Sequence, residues 1–87
     1  ASTYTFEGKT SLNDFYKILN IAPELFASVK GESESVSGLL LELFRKLPGP
    51  GEKIEHGNFV FTVVSADRKR IKSVRVLLKA KITDLLS

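Results

Sequence analysis

The repeat of apolar residues changes period once along this 87-residue chain, at Pro48-Gly49-Pro50-Gly51. Before that point apolar side chains recur roughly every three to four residues, as the buried stripe of a helix requires. After it they alternate, as on a pleated strand. A chain built this way is expected to be α+β, a small antiparallel sheet with two helices packed on one face. Its length leaves room for a single domain with one core.

In the first half, Tyr4-Thr5-Phe6 alternates and is rich in β-formers, so it reads as a short strand that turns at Glu7-Gly8-Lys9. Ser11-Leu12-Asn13-Asp14 has capping-box spacing, in which the hydroxyl accepts from the N3 amide. Leu12, Phe15, Tyr16 and Leu19 then fall at i, i+3, i+4 and i+7, which predicts an amphipathic helix ended by Asn20 and blocked by Pro23. Residues 21–34 are the least regular stretch; Leu25, Phe26 and Val29 suit one helical turn laid over the core, and residues 30–34 form a polar loop. Ser35 caps a second helix with a wide stripe: Val36, Leu39, Leu40, Leu43, Phe44 and Leu47. Glu42 stands four residues before Lys46, and Arg45 and Lys46 are expected in the last turn, where cations suit the helix dipole.

Beyond Gly51 a strand is expected over residues 52–55, with His56-Gly57-Asn58 as hairpin turn. Phe59, Phe61 and Val63 share one face of the next strand and Val60, Thr62 and Val64 the other, so that strand should be central and helix-covered on at least one side. Asp67-Arg68-Lys69-Arg70 makes a second turn into a strand over residues 71–78. There Ile71 and Val74 are out of phase, which predicts a bulge near Lys72-Ser73. The order is β-α-α-β-β-β. Residues 79–87 read as a tail with one helical turn carrying Ile82, Leu85 and Leu86.

Composition narrows the chemistry. The absence of cysteine removes disulfides, thiolate metal sites and a cysteine nucleophile together. The longest leucine run, Leu39-Leu40-Leu41, is cut by Glu42, far short of the roughly 18–20 residues of a membrane span. With no methionine in the sequence, the expectation is a piece of a longer protein, residues 1–2 being foreign to it and residues 3–78 forming the domain. His56, the sole histidine, has no second histidine or any cysteine to complete a metal or catalytic set, and reads as an exposed turn residue. Glu32 and Glu34 lack the further ligands of a calcium loop, and Gly49-Pro50-Gly51 lacks the helix and third glycine of a phosphate loop. No catalytic, cofactor or metal residue is therefore assigned.

Charge is lopsided: residues 1–44 hold 3 Lys+Arg against 6 Asp+Glu (−3), and residues 45–87 hold 10 against 4 (+6). Its concentrated part is Arg68, Lys69, Arg70 and Lys72, the candidate partner contact, with Arg75 close behind. Such a cluster suits a solvated hairpin, an acidic protein or membrane surface, or a nucleic acid, the last wanting interleaved aromatics that are missing here.

The run from Ser35 to Glu52, with Ser35 and Gly38 at the helix start and Pro48, Pro50 and Gly51 at the reversal, resembles the signature of the CorC/HlyC transporter-associated domain. Residues 8–15, 57–63 and 70–76 are similar to that family's opening and last two strands, so the likeness covers roughly residues 3–78. Residues 22–34 are longer and less acidic than the family pattern, and Ser37 stands where a second glycine or alanine is common. The resemblance implies a non-catalytic regulatory domain on the cytoplasmic side of hemolysin-like, magnesium and cobalt efflux or antiporter membrane proteins. It would modulate transport of ion substrates and contact its parent chain's CBS and membrane domains or a second copy. It implies a fold like a flavin-oxidase subdomain, although no flavin-binding pattern is present. The alternative is a stand-alone nucleotide- or nucleic-acid-binding module using the basic hairpin. In this setting Gly38 is expected to allow close packing against the sheet.

Overall fold

A computed structural model describes residues 2–79. The elements in order are β1 (Ser2–Glu7), α1 (Leu12–Leu19), α2 (Glu24–Ala27), α3 (Val36–Phe44), β2 (Lys53–His56), β3 (Phe59–Ala66) and β4 (Ile71–Leu78). They form one antiparallel sheet in the order β1-β4-β3-β2. β2, β3 and β4 are the expected meander, and β1 closes the far side against β4, with Tyr4 opposite Val76 and Phe6 opposite Val74. The expected α+β class holds, and the helical turn expected around Leu25 and Phe26 is the short α2 between the two longer helices. The C-terminal turn carrying Ile82, Leu85 and Leu86 lies outside the described residues.

Strand alternation sorts the sheet into two unlike faces. Phe6, Phe59, Phe61, Val63, Val74 and Val76 point to the helices and are buried with Leu12, Phe15, Leu19, Phe26, Val36, Leu39 and Leu40. The central strand β3 shows the asymmetry best: Phe61 is fully buried, whereas Val64 on the other face is 41% exposed. Two compensating register shifts, between Val63 and Ser65 and between Ser65 and Ala66, let both Ile71 and Val74 reach the core. The bulge expected near Lys72-Ser73 is thus present, matched by a second irregularity on β3.

The three helices stand for different reasons. α1 and α3 begin as the sequence indicates: Ser11 Oγ accepts from Asp14 N at 3.1 Å and Ser35 Oγ from Gly38 N at 3.2 Å. α1 ends on Asn20, left-handed at φ 55°. α2 is a single turn, too short to hold itself together. What holds it is Phe26, fully buried, whose ring lies 5.7 Å from Phe15, 5.3 Å from Phe59 and 5.9 Å from Phe61. Leu25, grouped with Phe26 by sequence, instead faces outward at 49% exposure.

α3 stops sooner than its apolar stripe suggests. Arg45 takes a left-handed conformation, φ 61°, and caps the helix through its N–H to Leu41 O. Arg45 and Lys46 therefore lie past the last turn, and Lys46 pairs with Glu52 at 2.9 Å rather than with Glu42. The early stop lets the chain bury Pro48 and begin pairing before β2: Gly51 N donates to Val63 O at 2.7 Å and Val63 N to Glu52 O at 2.8 Å. Leu47, left off the helix, is 38% exposed.

Candidate functional site

The polar residues singled out by sequence serve first to close the fold. A helix leaves its first amides without partners, and these can hold an anion if nothing else meets them. At α3 the vacancies are filled. Val36 N donates to Thr10 O and Ser37 N to Gly8 O, both at 2.9 Å, while Gly38 N reaches Ser35 Oγ. A bridge between Ser11 and Ser35, with Leu12 N donating to Glu34 O, ties the starts of both helices together.

Gly38 does not make the close approach to the sheet that its place in the helix suggested. A Cβ there would meet the side chains of Ser33 at 3.0 Å and Ser35 at 3.3 Å, in the preceding loop. The close approach is at Gly8, where a Cβ would stand 2.1 Å from Ile71 O. Gly8 N also donates to Lys72 O at 2.7 Å, so this glycine presses β1 against β4 beneath the start of α3. Sequence placed Gly8 only in a turn, because the contact depends on a residue far along the chain.

The Pro-Gly reversal has its own lock. Glu52 Oε2 accepts from Gly49 N at 2.6 Å, and Oε1 meets Lys46 Nζ at 2.9 Å. The Gly49 amide and then Lys46 hold the carboxyl of Glu52 below its ordinary value.

His56 is not an exposed turn residue. It ends β2, half-buried, with its Nε2 donating to Leu25 O at 3.1 Å and its ring 5.0 Å from that of Phe26. It fastens α2 to the sheet, a role invisible in sequence because its partners lie about thirty residues upstream. Beside it runs a groove of about 470 Å³ lined chiefly by Leu19, Ile21, Leu25, Phe59 and Leu78. On the same buried stripe of α1 as Leu19, Tyr16 has a hydroxyl without a partner among the described residues, and burial raises its pKa. Among the described residues no three His, Asp or Glu side chains come together as a metal site, and no helix is long and apolar enough to cross a membrane.

The basic turn is built around Asp67. Its Oδ1 accepts from Lys69 N and Arg70 N, both at 2.8 Å, and its own N–H donates to Arg70 O at 2.9 Å. These amides, helped by Lys72 and Arg70, hold the Asp67 carboxyl below its usual range. With the backbone so pinned, Arg68, Lys69, Arg70 and Lys72 all project into solvent. Strand register sets Arg75, which sequence already placed near this cluster, in line with Lys53, which sequence did not group with it. Thr5, Arg75, Thr62 and Lys53 pair across successive strands, which sets them in one row on the open face. Val60 and Leu77 form the next row, half-buried, flanked by Thr3 and Glu55.

These features define a class of protein: an α+β module whose described helices cover one face of a four-stranded antiparallel sheet. The sequence model of the CorC/HlyC family, a transporter associated domain, matches residues 1–80, and the chain belongs to that family. The transporter associated domain of a CBS domain protein from Porphyromonas gingivalis superposes with a TM-score of 0.81 at 33% identity, covering 90% of each chain. Hemolysin C of Brachyspira hyodysenteriae is 30% identical over 76 residues, which are 85% of this chain and 26% of that protein. The chain thus spans about a quarter of that relative. A Mg2+ and Co2+ transporter (CorC) associated region from Neisseria meningitidis shares the fold, with a TM-score of 0.75 at 22% identity over 90% of both chains.

Proposed function

We propose that the chain is a non-catalytic regulatory domain of a membrane ion-transport protein of the hemolysin-like, CBS-containing kind, modulating passage of ion substrates from the cytoplasmic side. The observation that carries this reading is the family match across residues 1–80. The superposition on the domain of a CBS protein supports the same setting. Magnesium and cobalt are the cations suggested by the Neisseria region, whose name ties it to their transport.

The fold suits a modulator. Its core fixes two faces whose surfaces can be read by the rest of the parent chain, through its CBS and membrane domains, or by a second copy. In this role Arg68, Lys69, Arg70 and Lys72 act as partner contacts. The test is magnesium flux in proteoliposomes carrying the full-length parent, with and without this domain. The reading predicts that transport persists on deletion while its rate or its dependence on ion concentration changes. Identical flux curves at equal protein levels would overturn it.

A further inference from the structure

The charges of this domain are sorted by face. On the sheet side the carboxylates are already engaged: Glu7 by Lys9 at 3.6 Å, Glu52 by Lys46, Glu55 by Lys79 at 2.6 Å, and Asp67 by two backbone amides. Among the described residues, Lys53, Arg68, Lys69, Arg70, Lys72 and Arg75 have no carboxylate within 4.0 Å. The carboxylates of the helical layer, Asp14, Glu24, Glu32, Glu34 and Glu42, have no cation within that distance among the described residues and outnumber the Lys17, Lys30 and Arg45 interspersed with them. The molecule therefore presents a cationic sheet face and turn on one side and an anionic helical layer on the other.

We propose that the open sheet face and the β3–β4 turn dock on an anionic lipid bilayer. The cations are spread over a row across the strands and an exposed turn, and the hollow lined by Glu7, Lys9, Arg70 and Lys72 is wide open, so among the described residues no enclosed pocket there shapes a particular side chain. A plane of anionic headgroups is attracted by summed charge and needs no such pocket. Nucleic acid would be read by stacking, but Phe59 and Phe61 are buried in the core and Tyr4 is half-buried on the same inner face. Repulsion of the helical layer sets the orientation, sheet face toward the lipid. The biological setting rests on the membrane-protein reading above, whereas the binding itself is a property of this chain alone.

The experiment is cosedimentation of the 87-residue protein with vesicles of phosphatidylglycerol and phosphatidylcholine, and with phosphatidylcholine alone. The protein is expected to pellet with the anionic vesicles only and to be released as salt shortens the Debye length to about 3 Å near 1 M. Each cation at the surface contributes about fivefold, so R68A/R70A/K72A lowers partitioning about 100-fold and K53A/R75A about 25-fold. E32Q/E34Q/E42Q leaves binding as tight or tighter. Equal pelleting with both vesicle types overturns the proposal, as does undiminished binding by both folded cationic variants, or binding to RNA or an acidic peptide with none to vesicles. Failure here would leave the flux test of the regulatory role untouched.

Discussion

Replacing Phe26 tests whether the irregular segment between α1 and α3 is part of the core or a cover on it. The ring is fully buried among Phe15, Tyr16, His56, Phe59 and Phe61, with centroids 5.0–6.3 Å away. Burying a phenyl side chain is worth about 1.5–3 kcal/mol, and the cavity left behind brings measured Phe→Ala losses to about 3–5 kcal/mol. Because α2 is one turn and its tie to His56 would go with the ring, Phe26→Ala is placed at about 4 kcal/mol within that range. A domain of 87 residues has a total stability between about 4 and 13 kcal/mol, so the loss takes a large share of it. Urea denaturation followed by tyrosine fluorescence measures the change. Phe26→Leu keeps a clear transition if the alanine variant does not fold, with a loss of about 1–2 kcal/mol. Leu25→Ala, next door but 49% exposed, should stay under about 1 kcal/mol. The reasoning is refuted if Phe26→Ala costs less than about 1 kcal/mol, or if Leu25→Ala costs as much.

Gly8→Ala drives a methyl into Ile71 O and must part β1 from β4, so it should cost at least about 2 kcal/mol by the same assay, more than Gly38→Ala, whose neighbours are side chains. Arg45→Gly relieves a left-handed residue at the end of α3 and should stabilise by about 1 kcal/mol, read as a raised denaturation midpoint. Glu52 and Asp67 both have folded pKa values held below their unfolded ones, so the stability each adds is present above the unfolded value and is lost as pH falls through the folded one. Denaturation midpoints measured from neutral pH down to about pH 2.5 should fall less steeply below about pH 4.5 in Glu52→Gln and Asp67→Asn than in the parent.

The fold was legible wherever a short-range pattern carried it. Ser11, Ser35 and Asn20 mark helix ends by local hydrogen-bonding chemistry, and alternation in residues 59–63 fixes which side of β3 is buried. What stayed hidden depends on partners distant in sequence. A helical turn carrying Leu25 and Phe26 is readable, but four residues leave no repeat to say that Phe26 alone enters the core while Leu25 faces outward. Leu47 continues the stripe of α3, yet the demands of Pro48 and of pairing between Gly51-Glu52 and Val63 end the helix at Phe44. The cations divide the same way. Arg68 to Lys72, with Arg75 close behind, are visible as a cluster, whereas Lys53 joins the row of Arg75 only through the register at Thr62.

Amide NMR spectra of the isotope-labelled protein, recorded as phosphatidylglycerol vesicles are added, would show directly which side of the domain meets another surface. Signal loss is expected to begin at residues 68–72, Arg75 and Lys53 while α1 and α3 keep their intensity until most of the protein is bound. Loss that starts in the helical layer, or a spectrum indifferent to the vesicles at low salt, would contradict a cationic sheet face as the docking side of this module.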